Sequence, residues 1–392
     1  MAMQRPDRPI YLDNQATTPC DPRVVQAMLP WFTERFGNPH SAEHAMGREA
    51  EAAVEAARAE VAALIGAEAR EIVLTSGATE SNNIAIKGAA RHAAAYGEPR
   101  RRIVTVATEH KCVLESVSDL AAEGFEPVVL PVRPDGTLDP AILEAALAVP
   151  TLLVSVMAVN NETGVIQDLA GLSAIAHGHG ALFHSDAAQA VGKIPVDVAR
   201  DAIDLLSISG HKLYGPKGVG ALYVRRRPRV RLAALFSGGG QERGLRSGTL
   251  ATPLIVGLGE ACRIAGTEMA ADAGRIADLR DRLLATLRAA LPDLVVNGSV
   301  SRRIAGNLNI TFPHAAAASL MRGAPELCVS TGSACSSAEI EPSYVLAALG
   351  LDAEAAARTL RFGIGRFTSA ADIDMAAVLL LRAHATTEPV EA

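Results

Sequence analysis

The chain has 392 residues, of which 49% are hydrophobic and 20% charged, which is enough apolar material for a large core and a length that suggests two or more domains. Its formal net charge of −6 argues against a general nucleic-acid binder, and the basic run Arg225, Arg226, Arg227, Arg229 and Arg231 is too local to reverse that, reading instead as a solvated strand end. The amino-terminal residues lack the apolar core of a signal peptide, and no stretch approaches the length of a membrane span.

In chain order, residues 37–44 read as a loop and residues 49–65 as a helix with Val54, Ala57, Val61 and Leu64 on one stripe. Strands and helices then alternate: strand 71–75, helix 79–94, strand 102–107, helix 110–123. Apolar runs at 127–130, 152–157, 181–184, 204–207 and 221–224 complete the strands, with helical segments near 139–148 and 168–177. This alternation predicts an α/β fold whose mostly parallel sheet is covered by helices on both faces. The composition changes after Gly238-Gly-Gly240. Helix-rich sequence over 253–291, strands at 308–312 and 327–330 and helices near 343–349 and 372–383 predict a second, smaller α/β domain. The expected division is a large domain over 15–252 and a small one over 1–14 and 253–392, with a frayed tail from Ala385.

The segment Ser209-Gly-His-Lys212 comes after an Asp-Ala-Ala-Gln segment running from Asp186 to Gln189. Asp186 follows the apolar run 181–183 and Lys212 the run 204–209, so both should stand at the exits of neighbouring strands, where ligands of open α/β sheets collect. A lysine that can form a Schiff base, an aspartate for a pyridinium nitrogen, and Ser209 and His211 as phosphate donors together compose a pyridoxal phosphate site. Thr75-Ser-Gly-Ala-Thr-Glu80 turns from a strand into a helix. The backbone N–H groups of Gly77 to Thr79 and the Thr79 hydroxyl would then face an anion such as the cofactor phosphate, although the same turn is also an ordinary helix N-cap. Gly238-Gly-Gly-Gln-Glu-Arg-Gly lacks the Gly-Lys-Ser/Thr ending of a nucleotide P-loop.

His110, at a helix head after the strand 102–107, could lie on a cofactor ring and move protons, or could simply be structural. His177, His179 and His184 lie close together, but Gly178 and Gly180 mark a helix end, where histidine is favoured, and no carboxylate or cysteine stands at ligand spacing. No metal site is expected. Arg361, in Leu-Arg-Phe-Gly-Ile-Gly-Arg-Phe, has apolar flanks, and an inward guanidinium there needs a partner such as a substrate carboxylate; Arg366 fits an intraprotein ion pair. The five cysteines are odd in number, scattered and without Cys-x-x-Cys spacing, which points to a reducing cytoplasm. Cys262 and Cys328 read as core. Cys335 lies instead among small polar residues that leave a thiol within reach of solvent.

With these residues the chain resembles the cysteine desulfurases, fold-type I pyridoxal phosphate enzymes of the class V aminotransferase group. The matching motifs run over nearly the whole chain: Tyr-Leu-Asp-Asn-Gln-Ala-Thr-Thr from Tyr11, Phe-Gly-Asn-Pro from Phe36, Thr-Ser-Gly-Ala-Thr-Glu-Ser-Asn-Asn from Thr75, and Thr-Glu-His-Lys from Thr108. They continue with Val-Asn-Asn-Glu-Thr-Gly from Val159, Ser-Gly-His-Lys-Leu-Tyr-Gly-Pro-Lys-Gly from Ser209, Arg-Ser-Gly-Thr from Arg246 and Ser-Thr-Gly-Ser-Ala-Cys-Ser-Ser-Ala from Ser330. The last motif is the most specific. It is similar to the long mobile-loop subgroup of NifS and IscS types, whereas the SufS-type loop has a different cysteine context.

The resemblance implies a large domain with a seven-stranded-type sheet and a smaller C-terminal α/β domain whose segment 328–340 carries the catalytic cysteine. It makes Lys212 the Schiff-base lysine and Cys335 the nucleophile that takes up sulfur. Asp186 would hold the pyridinium nitrogen, Gln189 the ring hydroxyl oxygen, and His110 would stack on the ring. Ala78, Thr79, Ser209 and His211 would hold the phosphate, with Thr249 reaching in from the other subunit of a homodimer. Asn161, at the cofactor, and Arg361 would take the substrate carboxylate.

On this reading L-cysteine displaces Lys212, the ring acts as electron sink, and the Cys335 thiolate attacks the substrate sulfur, leaving alanine and a persulfide. The thiol itself is a poor nucleophile, so the segment must approach His110 or another proton acceptor. The sulfur would pass to an acceptor such as an iron-sulfur scaffold protein, or into thio-cofactors or tRNA, with no direct nucleic-acid or membrane contact. Members serving a scaffold carry a longer C-terminal extension than residues 387–392 provide, so the acceptor stays open. Two rival readings are an aminotransferase or lyase on the same scaffold, which would yield a keto acid, and a non-catalytic partner protein.

Overall fold

Runs of leucine and β-branched residues become strands buried on both faces, as a sheet covered by helices requires. The computed structural model describes residues 8–331 and 343–386. Its strands in chain order are β1 (Ile10–Tyr11), β2 (Ile72–Thr75), β3 (Arg102–Val106), β4 (Glu126–Leu130), β5 (Thr151–Ser155), β6 (Leu182–Asp186), β7 (Leu205–Ser209), β8 (Gly220–Val224), β9 (Val295–Val296), β10 (Asn307–Thr311), β11 (Leu327–Cys328) and β12 (Thr359–Gly363).

Strands β2 to β8 form one seven-stranded sheet in the order β2-β8-β7-β6-β5-β3-β4. Strands β7, β6, β5, β3 and β4 are parallel, and β8 is antiparallel to both β2 and β7. Because two antiparallel pairings restore direction, β2 points the same way as β7. The carboxyl ends of six strands therefore open on one edge of the sheet, together with the start of β8. Gly220 is the register partner of both Thr75 and Ser209 there. Helices Ala78–Ala95, Lys111–Asp119, Pro140–Ala146 and Leu169–Gly178 carry the chain between successive strands. The helix expected over 110–123 is α-helical only to Asp119 and tightens into a 3-10 turn over Leu120–Glu123, a common way for a helix to end.

A second apolar cluster forms around the antiparallel sheet β12-β10-β9. The helix Thr252–Ala290 joins the two clusters: Ile255, Leu258 and Cys262 pack into the first, while Ile276, Leu279, Leu283 and Leu287 pack into the second. Its 39 residues extend about 58 Å at the α-helical rise. Ile10 and Leu12 also join the second cluster, and β1 pairs in parallel with β11. Strand β12 has no counterpart in the sequence-based expectations, since Arg361 interrupts its apolar run. It is nevertheless buried throughout, because that guanidinium finds partners. Arg225, expected in a solvated strand end, instead pairs with the buried Asp204 at 2.9 Å; Arg226, Arg227 and Arg229 are exposed. Cys262 is buried and Cys328 half-buried. Among the described residues no helix is long and apolar enough to cross a membrane.

Candidate active site

The edge where the strands end is hollowed into a cavity of about 520 Å³. Asp186, the last residue of β6, is buried at its wall; Asn82 Nδ2 donates to Oδ2 at 2.7 Å and the Ala188 N–H to Oδ1 at 2.9 Å. One strand over, Ser209 closes β7, and the next turn carries His211 and Lys212 into the same cavity. Lys212 Nζ donates to the carbonyls of Gln15 and Ala16 at 2.5 and 2.7 Å. These acceptors are backbone atoms almost two hundred residues away, which no side-chain pattern could announce.

Ala78 and Thr79 line the cavity from the first turn of the helix Ala78–Ala95. Thr79 is not the cap. The N-cap is Gly77, which makes no side-chain capping hydrogen bond, so the helix head keeps N–H groups for an anion. Gly77 sits at φ +150°, and a Cβ on Gly220 would come within 2.7 Å of the Gly77 Cα. Two glycines thus let the turn after β2 lie directly against β8. His211 shares a 3.0 Å contact between Nδ1 and the Thr17 hydroxyl. Burial first, then the positive charges of Lys212, Lys217 and Lys193, push its pKa down to about 4, so near neutral pH the ring is uncharged.

Gln189 also lines the cavity, its amide half-committed: Nε2 donates one hydrogen to the Gln15 carbonyl at 2.8 Å and Oε1 accepts from Lys193 Nζ at 2.5 Å, which leaves the second Nε2 hydrogen to give. Lys193 itself is pushed down to about 7 by burial and by the neighbouring charges of Lys212 and Arg361. Glu109, wholly buried, accepts from the Met157 N–H and is pushed well above the usual carboxyl range by burial and then by Asp186. His110 lines the cavity from the start of the helix Lys111–Asp119 and caps that helix, accepting from the Cys112 N–H.

Arg361, which also lines the cavity, is 2% exposed. Its Nη2 pairs with Asp13 Oδ1 at 2.7 Å, Nη1 donates to the Asn161 carbonyl at 3.0 Å, and Nε has no partner among the described residues. Asn161 Oδ1 is likewise buried without a partner there. Arg366 is ion-paired with Asp21 and Asp272, as expected. His177 pairs with Asp204, His179 with Glu144, and His184 lies between two serine hydroxyls; no metal-binding cluster occurs among the described residues.

The cavity thus collects Ala78, Thr79, His110, Asn161, Asp186, Gln189, Ser209, His211, Lys212 and Arg361. Thr249 is exposed and outside it. Cys335 lies outside the described residues. Asn82, Cys112, Glu109 and Lys193 went unassigned by sequence reasoning; Asn82 stands within the motif from Thr75 and Glu109 within that from Thr108, which was the only signal available.

The family model "Aminotransferase class-V" matches residues 10–375. A protein from Rickettsia bellii named Cysteine desulfurase IscS is 54% identical over 372 residues, covering 95% of this chain and 90% of that one. A human protein named Cysteine desulfurase is 56% identical over 367 residues, covering 94% and 80% respectively. This chain belongs to the class-V aminotransferases and, within them, to the cysteine desulfurases. Among solved structures, one described as a NifS-like protein superposes with a TM-score of 0.89 at 34% identity, covering 97% of this chain and all of that one. Pyridoxal phosphate is the general cofactor of this family. The residues fit it: an uncapped helix head, the Ser209 hydroxyl and an uncharged His211 suit a phosphate, and a buried carboxylate suits a pyridinium nitrogen.

Proposed function

We propose that this protein removes sulfur from L-cysteine, releasing L-alanine and leaving a persulfide on Cys335 that is passed to an acceptor. The observation that carries the reading is the meeting of Lys212, Asp186 and Arg361 in one cavity, an amine, a carboxylate and a carboxylate-binding cation from separate strands and turns. Pyridoxal phosphate, when bound, supplies an electron sink that labilises bonds at the α- and β-carbons of the amino acid. Lys212 would supply the amine that holds the cofactor, Asp186 would keep its pyridine nitrogen protonated, and Gln189 would serve its ring oxygen. The N–H groups at Ala78 and Thr79, with Ser209 and His211, hold the phosphate; Thr249 completes it from the second subunit of a homodimer. Arg361 and Asn161 would fix the substrate carboxylate, and His110 would move protons at the cofactor.

Cys335 thiolate attacks the substrate sulfur, so that a new S–S bond forms as the carbon–sulfur bond breaks. Support comes from the flanks of the segment 332–342: Ser330 exchanges backbone hydrogen bonds with Arg361, and the Ser343 hydroxyl donates to Glu162 Oε2 at 2.5 Å. Both Arg361 and Glu162 line the cavity. Four further cysteines are free thiols, in keeping with a reducing cytoplasm, and the acceptor is an iron-sulfur scaffold protein or an enzyme of thio-cofactor or tRNA thiolation. The test is to incubate the purified protein, loaded with pyridoxal phosphate, with L-cysteine and an added dithiol that reduces the persulfide to sulfide, and to measure alanine and sulfide together. Equal release supports the reading; a keto acid in place of alanine refutes it.

A further inference from the structure

His110 caps its own helix: the Cys112 backbone N–H donates to Nδ1 at 3.2 Å. A peptide N–H has only a hydrogen to give, so Nδ1 must accept it, and in a neutral ring the proton then sits on Nε2. Cys112 Sγ lies 3.0 Å from the same nitrogen. The direction of that contact is settled one step further back. Asn82, wholly buried, has Nδ2 2.7 Å from Asp186 Oδ2, and a carboxylate only accepts, so the amide must present its nitrogen there. The second hydrogen of that nitrogen goes to Cys112 Sγ at 3.2 Å. Having accepted from Asn82, the sulfur has its own hydrogen to give to Nδ1.

We propose that Asn82 and Cys112 are positioning residues which, oriented by the Asp186 carboxylate, hold His110 in its Nε2–H form. Nε2 is then the ring's donor nitrogen. The proposal rests on reading Asp186 and His110 as parts of the cofactor site, and it adds that the two are joined. The Asp186 carboxylate keeps Asn82 turned nitrogen-first, which turns the thiol toward Nδ1, so the two residues are joined through three hydrogen bonds. Cys112 on this account carries no sulfur during turnover; its thiol stays reduced and aimed at the ring.

The test is the ¹⁵N spectrum of the full chain carrying ¹⁵N-histidine and loaded with pyridoxal phosphate, with the His110 signals assigned by their loss in His110→Gln. In the wild type near neutral pH, Nε2 should give the protonated signal and Nδ1 the bare one. Cys112→Ala should lower the ratio of the Nε2–H to the Nδ1–H form about three- to tenfold, the worth of one neutral hydrogen bond, and Cys112→Ser, which restores a donor, should bring it back. A Cys112 that merely fills space would leave the ratio unchanged in both variants. That result, or a wild-type ring protonated at Nδ1, overturns the proposal. Visible absorbance of the sample reports cofactor uptake separately: no uptake refutes the cofactor reading, and the spectrum of the unloaded chain still decides the tautomer.

Discussion

Replacing Arg361 with glutamine takes from the cavity wall a guanidinium that is 2% exposed and already paired, through Nη2, with Asp13 at 2.7 Å. An entering substrate carboxylate would have to share or displace Asp13 at Nη2, while the buried Nε has no partner among the described residues. A hydrogen bond to a charged group contributes about 1.5–3 kcal/mol. At about 1.4 kcal/mol per tenfold, Arg361→Gln should raise the KM for L-cysteine roughly 10- to 150-fold. The fall in kcat should be smaller, because the carboxylate is held alike in ground and transition states. Asp13→Asn should act in the opposite direction, since it keeps the side-chain shape but removes the competing charge, lowering KM by up to about tenfold on the same scale. It should also lower the thermal midpoint, because the buried guanidinium loses its counter-ion. The assay is the initial rate of alanine formation against L-cysteine concentration in the three proteins, with circular dichroism to establish folding. A KM raised in both variants, or left at the wild-type value in Arg361→Gln, would refute the assignment of Arg361 to the carboxylate.

Lys212→Ala should lose both the visible absorbance of bound cofactor and all alanine formation; an unchanged spectrum with normal turnover would move the imine to another amine. His184, sealed between Ser155 and Ser207, has its pKa pushed down to about 4 by burial. Its unfolded value is near 6.5, so between those values the unfolded chain binds a proton that the native one refuses. Stability should therefore be full above about pH 6.5 and fall by about 3 kcal/mol toward pH 4. Urea unfolding at several pH values reads this, and a His184→Gln variant with the same pH slope as the wild type would contradict it. Arg58 and Glu242 form a buried pair of hydrogen bonds at 2.7 and 2.8 Å, with the Leu74 N–H also on the carboxylate. Glu242→Ala should cost about 3–5 kcal/mol in urea unfolding, because it takes the buried counter-ion from Arg58, whose other carboxylate partner, Glu55, is exposed, and leaves the Leu74 N–H without its acceptor; a loss near that of an exposed pair, below about 1 kcal/mol, would show that water reaches Arg58 in the variant.

Much of the large sheet was legible because strands buried on both faces read as unbroken apolar runs, and Asp186 and Lys212 each follow one. Their meeting at the sheet edge then follows from parallel pairing alone. Strand β12 escaped because a buried arginine breaks the apolar run that marks such a strand, and only the fold supplies Asp13 and the Asn161 carbonyl to compensate. The Gln15 and Ala16 carbonyls that hold Lys212 are main-chain atoms, invisible to residue identity. Asn82 and Cys112 stand at positions where small polar residues are ordinary in a helix, and their meaning depends on the turn that brings them beside Asp186 and His110. Thr249 is exposed and does not line its own chain's cavity, so the role proposed for it rests on the resemblance and not on this chain's geometry.

The most direct measurement is mass spectrometry of the peptide covering residues 330–339 after the protein, loaded with pyridoxal phosphate, has met L-cysteine and been alkylated. The expected result is one added sulfur on Cys335, with alanine released in matching amount, and no sulfane sulfur from a Cys335→Ser variant that still binds the cofactor. Added sulfur on Cys112 or Cys328 instead, or full activity in Cys335→Ser, would contradict the transfer of sulfur to Cys335.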